Sequence, residues 1–196
     1  MKTRFQELYM SEKLLLEPTA TAQWKKVIQD AEQHCHCQLT DELESYLIFT
    51  LMRFTQDSHL ASKALAPEYL NSASLPSHAK QQQLRDVGDQ CLLLSGLFPQ
   101  LAEKRLVKVS YYVDLGRSAY IHLAELLRKA FARLYQQLST HFVQMMDVLQ
   151  NIRHEPALLP LQAIEQWQDT GSQNARLILK QYTSATPLII NNKSRH

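Results

Sequence analysis

Residues 84–120 read LRDVGDQCLLLSGLFPQLAEKRLVKVSYYVDLGRSAY, and this stretch decides the fold. Three of the chain's four glycines, Gly88, Gly96 and Gly116, fall inside it. Apolar residues recur every three or four positions on both sides of a short basic link, which is the spacing of one helix face. The stretch therefore predicts two amphipathic helices joined by a short connection.

The glycines indicate how the two helices meet. Gly88 and Gly116 lie on the predicted apolar faces, where a glycine costs about 1 kcal/mol relative to alanine and is expected only where a Cβ would obstruct packing. We therefore expect the helices to cross closely at Gly88 and Gly116. Gly96 follows Ser95 and precedes Pro99, a pattern typical of a helix end with glycine in the left-handed conformation.

Charged and phenolic side chains gather beside the predicted crossing. Two interpretations stay open, namely a structural polar network that holds the helix pair and a surface or pocket for a ligand or partner. The first is favoured, because partly buried polar groups pair with one another and such networks resemble functional sites in sequence. No residue is predicted to be catalytic. The candidate ligand or partner residues are Arg85, Asp86, Asp89, Tyr111, Tyr112, Asp114, Arg117, Tyr120 and His122.

The same stretch carries a recognisable pattern. RDVGDxxLxxSGxFP at 85–99, followed by YYxxxGxxAY at 111–120, resembles a family of uncharacterised bacterial all-helical proteins. The segments FVQMMDVL at 142–149 and WQDTGSQNARLIL at 167–179 are similar as well, so the resemblance covers the chain from about residue 43 onward. It implies a helical fold with 84–120 as its signature, and it implies no activity.

Length and composition predict one all-α domain. With 196 residues, four glycines and seven prolines, the chain favours helix and is long enough to bury a core without staples. We expect a bundle of about seven or eight helices at 19–186, with one or two long central helices. A partly extended segment at 1–18 and a flexible tail at 187–196 complete the predicted organisation.

Charge and cysteine usage exclude several functional classes. The 21 basic and 19 acidic side chains nearly balance, which argues against an electrostatically driven nucleic-acid binder. No apolar run approaches about 18 residues, so no membrane span is expected. Three cysteines without disulfide spacing, and no secretory signal, indicate the cytoplasm.

Other helix boundaries follow from caps and periodicity. The helix predicted at 40–54 is apolar nearly all round, which is typical of a central helix or of an interface. The apolar pattern from 106 to 152 favours two helices, at 111–138 and 140–153, and the alternative is one long helix. The predicted N-cap residues are Thr21, Thr40, Ser110 and Ser172.

No motif for known chemistry is present, and no cofactor or metal is predicted. The run from His34 to Cys37 and the pair of His122 and Glu125 have the spacing of metal ligands, but buried thiols and surface pairs explain them more simply. We expect a non-enzymatic protein-interaction or regulatory module that binds a protein partner or itself. The alternative is a helical bundle that binds a small ligand or a metal in a pocket lined by Tyr, Asp, Arg and His side chains.

Overall fold

The computed structural model describes residues 19–56, 65–104, 106–152 and 158–182, and these ranges form ten α-helices without a strand. The predicted all-α bundle is confirmed. The predicted segments at 1–18 and 187–196 lie outside the described residues. The helices are α1 (Ala20–Cys35), α2 (Asp41–Gln56), α3 (Leu65–Asn71), α4 (Ser77–Leu97), α5 (Pro99–Lys104), α6 (Val109–Leu126), α7 (Lys129–Thr140), α8 (Phe142–Asn151), α9 (Pro160–Thr170) and α10 (Gln173–Tyr182).

Helix α4 is the central element. It packs along α6 and α8, and α3 and α5 contact it as well. Its residues from Val87 to Leu97 are all buried, so the rest of the bundle surrounds it on every side over its second half. A helix of this kind belongs in the middle of a core. None of the described helices combines the length and the hydropathy needed to cross a bilayer.

Three glycines let α4, α6 and α8 approach one another. A Cβ on Gly88 would collide with the ring of Tyr120 on α6. A Cβ on Gly116 would lie 2.8 Å from the Cβ of Cys91 on α4 and 2.5 Å from the ring of Phe142 on α8. Because Gly88 faces Tyr120 while Cys91 faces Gly116, α4 and α6 run in opposite directions. Each glycine therefore receives a side chain of a neighbouring helix rather than the other glycine.

The prediction of a left-handed helix end at Gly96 is wrong. Helix α4 continues through Gly96 to Leu97, and among the described glycines only Gly171 has a positive φ, of 73°. Gly96 is instead a packing position, since an added Cβ would lie 2.5 Å from the Cβ of Leu149 on α8. The hydroxyl of Ser95 donates to the carbonyl of Cys91 at 2.8 Å, which keeps it within the helix.

The region 106–152 forms three helices rather than the one or two predicted. The break expected near residue 139 is present at His141, between α7 and α8. A second break at Leu127 and Arg128, both in extended conformation, was missed. Because α6 and α7 fold back to face the same core, the apolar spacing continues through the turn and conceals it. This split and the short helix α5 raise the count among the described residues to ten, above the predicted seven or eight.

Two of the predicted caps are confirmed. The hydroxyl of Thr40 accepts from the backbone N–H of Leu43 at 3.5 Å, and that of Ser172 accepts from the N–H of Ala175 at 3.0 Å. These contacts satisfy amide groups that a helix start leaves without partners. Gly171, just before Ser172, takes the left-handed conformation that closes α9.

The other two predicted caps are wrong. Thr19 rather than Thr21 caps α1, by accepting from the N–H of Ala22 at 3.2 Å. Helix α6 begins one residue before Ser110, whose hydroxyl donates to Asp169 of α9 at 3.1 Å. The side chain that was expected to cap α6 thus tethers α9 to it.

We predict that Gly88→Leu or Gly116→Leu lowers the free energy of unfolding by more than about 2 kcal/mol, because the added side chain overpacks the core. Urea denaturation measures the change. The matched control is Gly171→Asn, where an added Cβ meets nothing within 4 Å and asparagine tolerates the positive φ. Equal denaturation midpoints for the wild type and the leucine variants would contradict the proposed close packing.

Candidate functional site

Asp89 lies on α4 and is fully buried, with 0% of its surface exposed. Its Oδ1 accepts hydrogen bonds from the hydroxyl groups of Tyr46, at 2.6 Å, and Tyr120, at 2.7 Å. Its Oδ2 accepts from the Nη2 of Arg53 and lies 3.7 Å from the Nε of Arg85. Both carboxylate oxygens are therefore engaged, by side chains of α2, α4 and α6.

Aromatic contacts bring a fourth helix to this carboxylate. The rings of Tyr46 and Tyr120 meet edge to face, with centroids 6.3 Å apart. The ring of Tyr135 on α7 lies 6.1 Å from Tyr46 and 5.9 Å from Tyr120. The guanidinium of Arg85 lies 6.0 Å from the ring centroid of Tyr46, within reach of a cation–π contact. We call this group the Asp89 cluster; its members are Tyr46, Arg53, Arg85, Asp89, Tyr120 and Tyr135.

The electrostatics of the cluster favour a structural role. Burial raises the pKa of Asp89, and the adjacent Arg53 is the main opposing influence. Burial and the charge of Asp89 hold the pKa values of Tyr46 and Tyr120 well above their ordinary value, so both phenols stay protonated and donate. A buried carboxylate costs several kcal/mol unless it is paired and hydrogen-bonded. The cluster meets that requirement only when α2, α4 and α6 are all in place.

Four of the residues predicted as a site come together here. Asp89 and Tyr120 are buried in the cluster, and Arg85 lies at its edge. Asp86 is at the surface, 3.3 Å from the Nη1 of Arg53. Among the candidates singled out in the sequence, these four form the structural network that was the favoured interpretation.

The other predicted site residues lie elsewhere. Tyr112 is buried and its ring meets that of the partly exposed Tyr111 edge to face at 5.3 Å. Asp114 and Arg117 are exposed on the outer face of α6. The structure therefore does not bring Tyr112, Asp114 and Arg117 to one pocket.

His122 is exposed on α6 and pairs with α3. Its Nδ1 lies 2.5 Å from the hydroxyl of Tyr69, and the two rings stack with centroids 5.7 Å apart. Glu125 is near enough to contribute to a raised pKa of Tyr69, of which burial is the main cause. His122 is thus engaged with a tyrosine of α3 and forms no hydrogen bond with Asp89 in the described part of the chain.

Sequence reasoning missed half of the cluster. Tyr46 and Arg53 lie 43 and 36 positions before Asp89, and Tyr135 belongs to a helix whose start was not predicted. Tyr46 falls in the helix predicted at 40–54, whose sequence indicated only an apolar surface. The one available signal was an aspartate in the middle of a buried helix, which requires donors from somewhere in the chain.

A second buried carboxylate attaches the hairpin of α9 and α10 to the body. Asp147 on α8 accepts from the hydroxyl of Ser172 at 2.5 Å. It also accepts from the backbone N–H groups of Gln173, at 2.8 Å, and Asn174, at 3.3 Å. These N–H groups belong to the first turn of α10, where the helix dipole stabilises a negative charge.

Amide side chains extend this attachment. Gln150 on α8 and Gln166 on α9 exchange two hydrogen bonds, of 3.1 and 3.0 Å, through their side-chain amides. Gln150 also donates to the carbonyl of Ser95 on α4 and accepts from Asn174, while Gln166 donates to Ser172. The hairpin keeps a small core of its own, made of Leu158, Ala163, Trp167, Ala175 and Leu179.

The predicted ligand spacing at 34–37 does not produce a metal site. Cys35 is buried at the end of α1, and the thiol of Cys37 donates to its carbonyl at 3.3 Å. His36 takes the left-handed conformation and closes the helix. Across the described part of the chain, no three His, Cys, Asp or Glu side chains are placed to hold a metal ion.

The remaining feature is on the surface, where α2 and α7 pack side by side. The side chain of Gln144, in the first turn of α8, donates to the carbonyl of Gln38 at 2.9 Å. Gln38 lies just before α2, and α8 follows directly after α7. Tyr46 lies next to Tyr135. The start of α2 is therefore at the end of α7, and the two helices run in opposite directions.

This register places two exposed phenylalanines at the same level. Phe49 lies one turn after Tyr46 on α2, and Phe131 lies one turn before Tyr135 on α7. Their side chains are 61% and 65% exposed, respectively. We define the Phe49–Phe131 surface as the outer stripe of α2 with Glu42, Ser45 and Phe49, together with Arg128 and Phe131 at the start of α7.

Comparison with known proteins gives no family. No protein-family model matches the chain, and neither a curated protein nor a solved structure matches it. The resemblance to bacterial all-helical proteins stays a prediction. The function must therefore be argued from the residues and their surroundings.

We expect Asp89→Ala to lower the free energy of unfolding by about 3 kcal/mol or more, because it leaves two buried phenols and a guanidinium without their acceptor. Asp86→Ala, three residues away, is the matched control. It removes a half-exposed ion pair and should cost less than about 1 kcal/mol. Equal losses measured for the two variants by chemical denaturation would refute the assigned importance of Asp89.

Burial raises the pKa of Asp147 to about 6 from the ordinary 3.8. The folded protein thus holds this proton more tightly than the unfolded chain, and the resulting stabilisation is complete below about pH 4 and lost as the pH rises to about 6. A pKa difference of this size corresponds to about 3 kcal/mol. The stability of the wild type relative to Asp147→Asn should fall across that window and stay level above it. A difference independent of pH would contradict the raised pKa.

Proposed function

We propose that the protein is a non-enzymatic interaction module that binds a protein partner through the Phe49–Phe131 surface. The observation that carries the proposal is the pair of large aromatic side chains, each more than 60% exposed, at the same level of two packed helices. Aromatic residues that project from a rigid surface are common anchors of protein interfaces.

The position of the Asp89 cluster supports this proposal. Tyr46 and Tyr135, each one turn from an exposed phenylalanine, are held in the cluster through Asp89 and the ring of Tyr120. Helices α2 and α7 are thereby fixed relative to each other before any partner arrives. A preorganised surface loses less conformational freedom on binding, so more of the contact energy goes into affinity.

The chemistry of the buried carboxylates also favours binding over catalysis. Both oxygens of Asp89 and both oxygens of Asp147 accept hydrogen bonds from the protein itself. A group that served as a base would have to exchange one of these partners for a substrate. We assign the two aspartates to the architecture and the exposed aromatic surface to the function.

We place this activity in the cytoplasm. Cys35, Cys37 and Cys91 are all free thiols, as expected in a reducing compartment. Cys91 lies against Gly116 inside the core, and burial raises its pKa far above its ordinary value. These thiols contribute to packing rather than to covalent cross-links.

We expect the double variant Phe49→Ser/Phe131→Ser to lose the partner that the wild type retains. Immobilised proteins are incubated with an extract of the source cells, and captured proteins are quantified by mass spectrometry. A specific partner should fall by at least about tenfold, which corresponds to the loss of one or two aromatic anchors.

Leu161→Ser is the matched control, because Leu161 on α9 is 70% exposed and lies outside the Phe49–Phe131 surface. It should leave capture unchanged, and thermal unfolding should show that all variants are folded. Retention of the same partner by the double variant and the wild type would refute the proposed binding surface.

A further inference from the structure

We propose that the occupant of the Phe49–Phe131 surface is a second copy of the same chain, related to the first by a two-fold axis that lies in the interface and crosses α2 and α7. The inference rests on the proposed function and specifies the partner. It is carried by the distribution of charge and of apolar area along α2 and α7.

The surface is acidic at one end and basic at the other. Asp41 and Glu42 are exposed in the first turn of α2. Arg128 and Lys129 are exposed at the start of α7. Because the two helices run in opposite directions, these groups lie at opposite ends, with the phenylalanines between them.

A two-fold axis makes this order complementary to itself. Rotation by half a turn about an axis that crosses both helices midway between Glu42 and Arg128 lays the acidic end of one copy over the basic end of the other, and this happens twice in each dimer. An interface of this kind uses the same patch on both subunits and closes without further growth. A partner with a different sequence could bind without this surface being complementary to a second copy of itself.

A second copy would stabilise the start of α7 in particular. Arg128 and Lys129 stand at a helix N-terminus, where the dipole is unfavourable for cations, and no side chain caps it. The carboxylate of Glu42 of a second copy would offset the charge of Arg128 and of the helix end. Charge complementarity of this kind selects the partner and its orientation more than it adds affinity.

The apolar stripe of α7 also indicates that a second copy covers the first turn of this helix. Phe131 continues the stripe of Leu134, Tyr135 and Leu138 that faces the core. Leu138 is completely buried, whereas Phe131 is mostly exposed. The stripe is thus covered at its end and open at its beginning within the described part of the chain. A second copy would cover it with Phe49 and Phe131 of its own.

The overall charge permits two copies to associate. The formal net charge of the chain is +2 at pH 7, so the long-range repulsion between identical copies is small. The local attraction between the acidic and basic ends therefore decides the encounter. It should weaken with rising salt, because exposed charges are screened beyond about 8 Å at physiological ionic strength.

The test is sedimentation equilibrium of the full chain at low ionic strength, with Glu42→Arg and Arg128→Glu as variants. The wild type should reach twice the monomer mass of 22.7 kDa. Each variant alone should raise the dissociation constant at least about tenfold, because both symmetric pairs become repulsive. An equimolar mixture of the two variants should dimerise again, since both pairs between them are attractive.

Arg117→Glu, an exposed charge reversal on the outer face of α6, is the matched control and should leave the dissociation constant unchanged. A wild type that stays monomeric at all concentrations, or a mixture that fails to regain the dimer, would overturn the proposal. A monomer whose capture of another protein still depends on Phe49 and Phe131 would reject self-association and leave the proposed function standing. If neither capture nor mass depends on the phenylalanines, both proposals fail.

Discussion

The structure depends on one close contact, in which a single tyrosine occupies the space above a glycine and an aspartate that are adjacent in sequence. The ring of Tyr120 covers Gly88, and its hydroxyl donates to Asp89. Any side chain at position 88 would hold the ring away from α4 and draw the hydroxyl off the carboxylate. The apolar and polar parts of the α4–α6 contact are therefore one interaction, and the missing Cβ is a condition for the hydrogen bond.

The remainder of the bundle is arranged around this contact. Gly96 and Gly116 admit Leu149 and Phe142 of α8, so α8 lies against both α4 and α6. Asp89 has acceptor capacity left after Tyr120, and Tyr46 and Arg53 of α2 use it. A buried carboxylate of this kind contributes less to net stability than to the choice of one helix arrangement over others, because any arrangement that lacks a donor is penalised. The three glycines set the distances in the core, and Asp89 determines which helices fill the surrounding positions.

The sequence predicted the parts of this architecture that depend on local rules. Helical periodicity gave the all-α fold, and short polar side chains located the starts of α2 and α10 at Thr40 and Ser172. The turn at Leu127 and Arg128 could not be predicted, because neither residue is a helix breaker and the apolar spacing runs through it. The sequence around Gly96 was misinterpreted, because a glycine shortly before a proline is typical both of a helix end and of close helix packing. Only the position of Leu149 against Gly96 shows that close packing is the reason. Tyr46, Arg53 and Tyr135 come from separate helices, so no pattern within a window of sequence connects them to Asp89.

The two buried carboxylates have different consequences for the surface. Asp147 fastens the hairpin of α9 and α10 through hydrogen bonds to the start of one helix, and its neutral form is favoured by burial. Asp89 connects the core to the exposed aromatic residues. It accepts a hydrogen bond from Tyr46, which is one turn from Phe49. The ring of Tyr135, one turn from Phe131, packs on Tyr46 and Tyr120. Movement of α2 would break the hydrogen bonds of Tyr46 and Arg53 to a buried carboxylate, and movement of α7 would separate the ring of Tyr135 from Tyr46 and Tyr120. These contacts resist displacement of the two helices and stiffen the outer face of the pair. Stiffness at exposed aromatic residues reduces the entropy lost when they are covered, and that physical link joins the packing of the core to the proposed interface.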